Sequence, residues 1–144
     1  MQVYILKESN SDSRVAASPD TVKKMIDWGL NVVIQDNAGL NSNFSNEDYV
    51  KSGATISNSI TDISKSDLIL KINKPNDDEI ALMNEGSILI ASLDPYNNNE
   101  TLNKLKDKGV TSFAMELMPR ITRAQSMDIL SSQSNLAGYK AVID

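Results

Sequence analysis

The sequence predicts an α/β fold in which a mainly parallel sheet carries helices on both faces. Two observations predict it. Short apolar runs alternate regularly with helical patterns along the chain, and those runs are continuously apolar rather than alternating with polar residues. Strands that bury only one face alternate; strands buried on both faces by crossover helices do not. Right-handed crossovers then join the strands.

The elements follow in order. Val3, Tyr4, Ile5 and Leu6 form an apolar run bounded by KESNSDS, which reads as a buried strand and a polar loop. Ser18-Pro19-Asp20 opens a helix, because serine accepts an orphan backbone N–H and proline sits where no N–H is needed. Val22, Met25 and Ile26 give that helix its apolar stripe, and Gly29 closes it. Asn31 to Gln35 is a strand, SNEDYVKSG a short helix stopped by Gly53, and ATI a small strand. DLILKI, Asp67 to Ile72, is the clearest strand. After Pro75, Asn76 to Glu79 supplies caps and acid for a helix that Gly86 ends before the strand SILIAS. Asn98 to Lys108 is a helix stopped by Gly109, and VTSFAME is the last strand. A helical pattern then runs toward the end of the chain.

Composition narrows the function. A chain of 144 residues, 40% hydrophobic and 23% charged, has the length and balance of one globular domain. Its net charge of -5 and thinly spread lysines argue against a nucleic-acid partner. With no cysteine and no histidine, disulfides, thiolate metal sites and the commonest general base are absent, and a zinc enzyme is not expected. The first residues lack the apolar core of a signal peptide, and no run is long enough to enter a membrane directly.

In a parallel α/β sheet, ligands bind beyond the carboxyl ends of the strands. Four loops qualify: KESNSDSRVAAS, KINKPND, SLDPYNNNE and MELMPRITRAQSMD. Arg14 and Lys71 fall in the first two. They either point into one crevice and hold an anion, or are solvated charges. Asp77, Asp78 and Glu79 read as compensation for a helix dipole rather than a metal site. Met115, Met118 and Met127 read as core filler. The six glycines never form G-x-G-x-x-G, so the pyrophosphate fingerprint of a dinucleotide domain is missing. In the fourth loop, Arg120, Arg123, Gln125, Ser126, Asp128 and Ser131 crowd polar side chains behind Pro119. These can make a ligand loop, or simply caps and surface charge, since Ser and Asp also begin helices.

The stretch PRITRAQSMDILSSQSNLAGYKAVID closely resembles the segment of proton-translocating NAD(P) transhydrogenase alpha subunits that lies over the nicotinamide of NAD(H). The resemblance extends to KESNSDSRVAASPDTVKKMIDWG and DLILKINKPNDDEIALM, so all 144 residues resemble the N-terminal domain of the wider alanine dehydrogenase and transhydrogenase family. It implies a flavodoxin-like three-layer fold over residues 1–133. Residues 134–144 would then begin a helix leading to a separate Rossmann NAD-binding domain, with Asp144 the edge of a fragment. It also implies that Arg120, Ile121 and Thr122 contact NAD(H), that Asp128 and Ser131 hold the carboxamide end, and that Gln125 contacts the nicotinamide ribose and brings the two nicotinamides together. Close relatives often have Ser where Thr122 stands, which preserves the hydroxyl.

By the same resemblance, NAD(H) binds this subunit and NADP(H) a partner subunit, and hydride passes between them coupled to proton movement. The partners are membrane-embedded and NADP(H)-binding subunits, the full-length subunit is a homodimer, and the location is cytoplasmic, peripheral to the inner membrane through those partners. Ring-to-ring hydride transfer needs positioning rather than an acid–base side chain, which suits a chain without histidine. The alternative is the substrate domain of an alanine dehydrogenase-like enzyme, where a His joins the Arg and Lys matched here by Arg14 and Lys71. SLDPYNNNE offers no such His, which leaves Arg14 and Lys71 as candidates for a vestigial substrate site. A free-standing binding module is the third reading.

Overall fold

The computed structural model describes every residue but Asn10 and Asp144, so the expected domain edge at Asp144 lies outside the described residues. Six strands, β1 (Gln2–Ile5), β2 (Asn31–Gln35), β3 (Thr55–Ser57), β4 (Leu68–Leu70), β5 (Ile88–Ala91) and β6 (Thr111–Ala114), form one sheet. All neighbours pair in parallel, in the order β3-β2-β1-β4-β5-β6. The helices are α1 (Pro19–Asp27), α2 (Asn46–Lys51), α3 (Asp77–Leu82), α4 (Asn99–Asp107) and α5 (Ile129–Ile143).

The apolar run of β1 shows how the layers arise. Successive side chains of a strand point to opposite faces, so Val3 and Ile5 enter a core with Val22 of α1 and Tyr49 of α2. Tyr4 and Leu6 enter a second core with Ile80 of α3 and Leu105 of α4. All four β1-run side chains are fully buried. Two cores, one on each face, account for the continuous apolar patterning and give the expected three layers.

Local signals set most helix starts. Ser18 accepts the Thr21 N–H ahead of α1. Ser45 with Asp48, and Asn76 with Glu79, close reciprocal capping boxes at α2 and α3. Other boundaries moved. Helix α3 stops at Leu82 rather than near Gly86, because Met83 turns extended to bury itself in the second core. β4 is shorter than Asp67 to Ile72, and the residues after Ala114 leave the sheet in a 3₁₀ turn at Met115–Leu117. A further 3₁₀ segment, Ile60–Lys65, links β3 to β4 with Ile63 buried. Met127 is not core filler: it is half exposed.

Helix α5 is continuous from Ile129, so the expected division between 133 and 134 falls inside it. Its apolar residues point all around, and none is buried among the described residues. On the neighbouring edge strand, Phe113 is also exposed.

Candidate functional site

The strand order reverses between β1 and β4, which opens a crevice at their carboxyl ends. The buried carboxylate of Glu8, just past β1, bridges it. Glu8 accepts the Ile72 N–H at 2.6 Å, the Asn73 N–H at 3.3 Å and the Asn73 side-chain amide at 2.9 Å. That amide gives its other proton to Asp12 at 2.8 Å. Asp12 in turn receives Arg14 through Nε at 3.0 Å and a terminal nitrogen at 2.6 Å. The Arg14 guanidinium holds the Asp12 carboxyl far below the usual carboxylate range, while partial burial opposes the shift.

Lys71 follows β4 and is buried, with its ammonium 2.6 Å from both oxygens of Glu79. Glu79 therefore does two things: it completes the α3 capping box and pairs with the Lys71 ammonium. The neighbouring Asp77 turns outward to Lys104 at 2.8 Å. No cluster of potential metal ligands exists among the described residues.

Arg14 and Lys71 border the same space. They line one cavity of about 210 Å³ whose apolar walls include Leu70, Ile90, Met115 and Ile129. The solvated reading fails for Lys71, and each cation already holds a carboxylate. Ser92 and Gln133 complete the lining. Sequence reasoning missed Gln133, although its i+4 spacing from Ile129 places both on one face of α5. It also missed the Glu79 pair, for which the capping-box position was the only local signal.

Beside this cavity lies the loop of Pro119 to Asp128. A 3₁₀ segment, Thr122–Met127, folds around the buried Ala124, and Asp128 ends it as the cap of α5. Asp128 accepts the Leu130 N–H at 3.0 Å, the Ser131 N–H at 3.2 Å and the Ser131 hydroxyl at 2.6 Å. These bonds, led by the Ser131 hydroxyl and aided weakly by the charge of Arg120, hold its carboxyl below the ordinary value. Capping and ligand-loop readings are thus compatible in one residue.

Arg120, Ile121, Thr122, Gln125, Asp128 and Ser131 together line a pocket of about 280 Å³. Those are the six residues expected to contact the nucleotide. Arg123 and Ser126 are exposed and do not line it. The two pockets adjoin through the start of α5, where Asp128 and Ser131 face one and Ile129 the other.

A doubly wound α/β domain with a polar pocket beyond its last strand is the class that fold and site define. The family described as "Alanine dehydrogenase/PNT, N-terminal domain" matches residues 4–137, and the chain belongs to it. It is 42% identical to the first portion of the NAD(P) transhydrogenase alpha subunit of Rhodospirillum rubrum, over 100% of this chain and 39% of that protein. It is 31% identical to alanine dehydrogenase 1 of Staphylococcus aureus, over 99% of this chain and 38% of that protein. The crystal structure of a transhydrogenase from Sinorhizobium meliloti superposes with a TM-score of 0.95 at 48% identity, covering 100% of this chain and 43% of that one. The chain spans about two fifths of the length of these relatives.

Proposed function

We propose that this chain is the N-terminal part of the NAD(H)-binding alpha subunit of a proton-translocating transhydrogenase. The carrying observation is the single pocket formed by Arg120, Ile121, Thr122, Gln125, Asp128 and Ser131. Its chemistry suits the nicotinamide end of a dinucleotide. Ile121 supplies an exposed apolar surface, Arg120 a permanent cation, and Thr122 and Gln125 exposed hydrogen-bonding groups. The Ser131 hydroxyl spends its proton on Asp128, so both residues present acceptors to the amide protons of a carboxamide. The pyrophosphate and adenosine would be held by a Rossmann domain into which α5 continues, and that domain would also cover the apolar residues α5 exposes.

Bound NAD(H) supplies the hydride chemistry itself. Arg120 and Thr122 bind and orient the dinucleotide, Asp128 and Ser131 fix the rotation of its carboxamide, and Gln125 sets the approach of the second nicotinamide. No proton moves at the reacting carbons, so no acid–base side chain is required. The NADP(H) site and proton pathway belong to partner subunits. No helix of the described residues is long and apolar enough to cross a membrane. The proposal places the subunit in the cytoplasm, peripheral to the membrane through those partners, and makes its full-length form a homodimer.

The alanine dehydrogenase-like reading is weaker. It needs a cation free to hold a substrate carboxylate, whereas Arg14 is paired with Asp12 and Lys71 with Glu79. The loop after β5 offers no histidine, and its Asp94 carboxylate is held by the Asn97 amide at 3.0 Å.

Two variants of the full-length subunit, assembled with its partners, test the proposal. Gln125→Asn keeps the amide and shortens its reach by one methylene, so hydride transfer should fall by about tenfold or more with little change in NADH affinity. Arg120→Ala removes a charged donor and should weaken NADH binding by about tenfold. Parent-like stopped-flow transfer in Gln125→Asn together with parent-like binding in Arg120→Ala would remove the basis of the reading.

A further inference from the structure

We propose that Glu116 is a positioning residue that holds the Arg120–Ser131 loop over the crevice by clamping the chain leading into it to the end of β5. The proposal rests on the reading of that loop as the nicotinamide site. Glu116 lies in the 3₁₀ turn after β6, a few residues ahead of Arg120. Its Oε1 accepts the Leu93 N–H at 2.8 Å and, alongside it, the N–H of Asp94. Two successive backbone N–H groups converging on one oxygen are the means by which a backbone cradles an anion. A charged acceptor places these bonds among the stronger ones.

Asp94 adopts a φ of 45°, a left-handed conformation that residues with a side chain rarely take and that Asp tolerates better than most. The two N–H groups flank the Leu93 Cα, so the torsions of Leu93 set their convergence on one oxygen, and the left-handed Asp94 turns the chain immediately afterwards. Leu93 itself is fully buried in the second core, so the cradle sits on a rigid base.

The loop depends on such a clamp. Inside it, the backbone bonds of Ile121 to Pro119, Ala124 to Ile121 and Asp128 to Gln125 are all local. The loop meets the sheet at its two stems. At the far stem, Ile129 and Gln133 of α5 line the crevice with Met115. At the near stem, Met115 and Glu116 are adjacent, so the residue that forms the cavity wall is next to the residue that is tethered. Releasing Glu116 frees the near stem while leaving both apolar cores intact. Because Glu116 is otherwise exposed, its loss should cost little global stability and act on the loop.

Glu116→Ala and Glu116→Gln in the full-length subunit separate this role from a structural one. Amide exchange at Leu93, Asp94 and residues 119–128, equilibrium NADH affinity and stopped-flow hydride transfer are measured for each. Glu116→Ala should accelerate exchange at these amides and slow hydride transfer, each by about tenfold or more, while NADH affinity changes by less than about threefold. Glu116→Gln keeps an acceptor oxygen and should return both to within about threefold of the parent. Should the alanine variant fail to fold, Glu116→Asp, whose oxygen is withdrawn by one methylene, takes its place with the same expected losses. Unchanged loop exchange in the alanine or aspartate variant, or a glutamine variant as impaired as alanine, would overturn the proposal. Gln125→Asn and Arg120→Ala run in parallel keep the two failures apart: parent-like transfer in the first together with parent-like NADH binding in the second removes the nicotinamide-site reading, while the exchange data still decide whether Glu116 holds the loop.

Discussion

Replacing Lys71 by Met should destabilise the domain strongly, and the structure gives the size. The ammonium lies 2.6 Å from both Glu79 oxygens, and the two side chains are 7% and 6% exposed. At an effective dielectric near 20, that separation is worth about 6 kcal/mol of attraction, which the several kcal/mol needed to desolvate each ion largely cancels. The intact pair therefore adds little net stability. Its disruption is another matter, because an uncharged side chain in place of Lys71 would leave a buried carboxylate with no counter-charge. The expected loss is about 3–5 kcal/mol, or roughly 10–20 °C in Tm for a domain of this size. Glu79→Gln on the same background removes the stranded charge while keeping the capping-box acceptor, so the double variant should recover to within about 2 kcal/mol of the parent. Urea denaturation of both single variants and the double variant closes the thermodynamic cycle. A Lys71→Met loss below about 1 kcal/mol, or a double variant no better than the single, would refute the buried-pair argument.

Tyr49 is fully buried and its hydroxyl donates to the Ala17 carbonyl at 2.9 Å, with burial pushing the phenol up to about 12. Tyr49→Phe should cost about 1–3 kcal/mol by leaving that carbonyl unpaired, and a denaturant midpoint equal to the parent's would contradict this. The Asp128 carboxyl is held below its unfolded value, so its contribution to the α5 cap is present above the ordinary carboxylate range and is lost as pH falls through the depressed folded value. Amide exchange in the first turn of α5, corrected for intrinsic rates, should therefore gain protection between acidic and neutral pH in the parent and not in Asp128→Asn; identical profiles would show that the cap is idle. Calorimetry with residues 1–144 alone should detect weak NADH binding or none, since this chain lacks the glycine-rich pyrophosphate turn. Tight saturable binding would place the main nucleotide site within this domain.

What the sequence determined by itself lies where a few neighbouring residues decide the outcome. Ser18 with Pro19, Ser45 with Asp48 and Asn76 with Glu79 satisfy orphan N–H groups within one turn, so the starts of α1, α2 and α3 were legible. The VYIL run announced a strand buried on both faces, and the crowded polar loop after the last strand held Arg120, Gln125, Asp128 and Ser131 of the pocket, whereas Ile121 and Thr122 were named only by the family resemblance. Tertiary structure decided what depends on partners distant in the chain. Met83 ended α3 early because the second core had room for its side chain, a choice the Gly86 signal could not reveal. The reversal of strand order that brings Arg14 and Lys71 to one crevice, the turning of Glu79 inward and Asp77 outward, and the reach of Glu116 to the end of β5 are likewise nonlocal. A carboxylate at a helix start or in an exposed turn has the same local sequence signature whether it faces water or a cation. Only the packed chain supplies the buried partner that chooses between them.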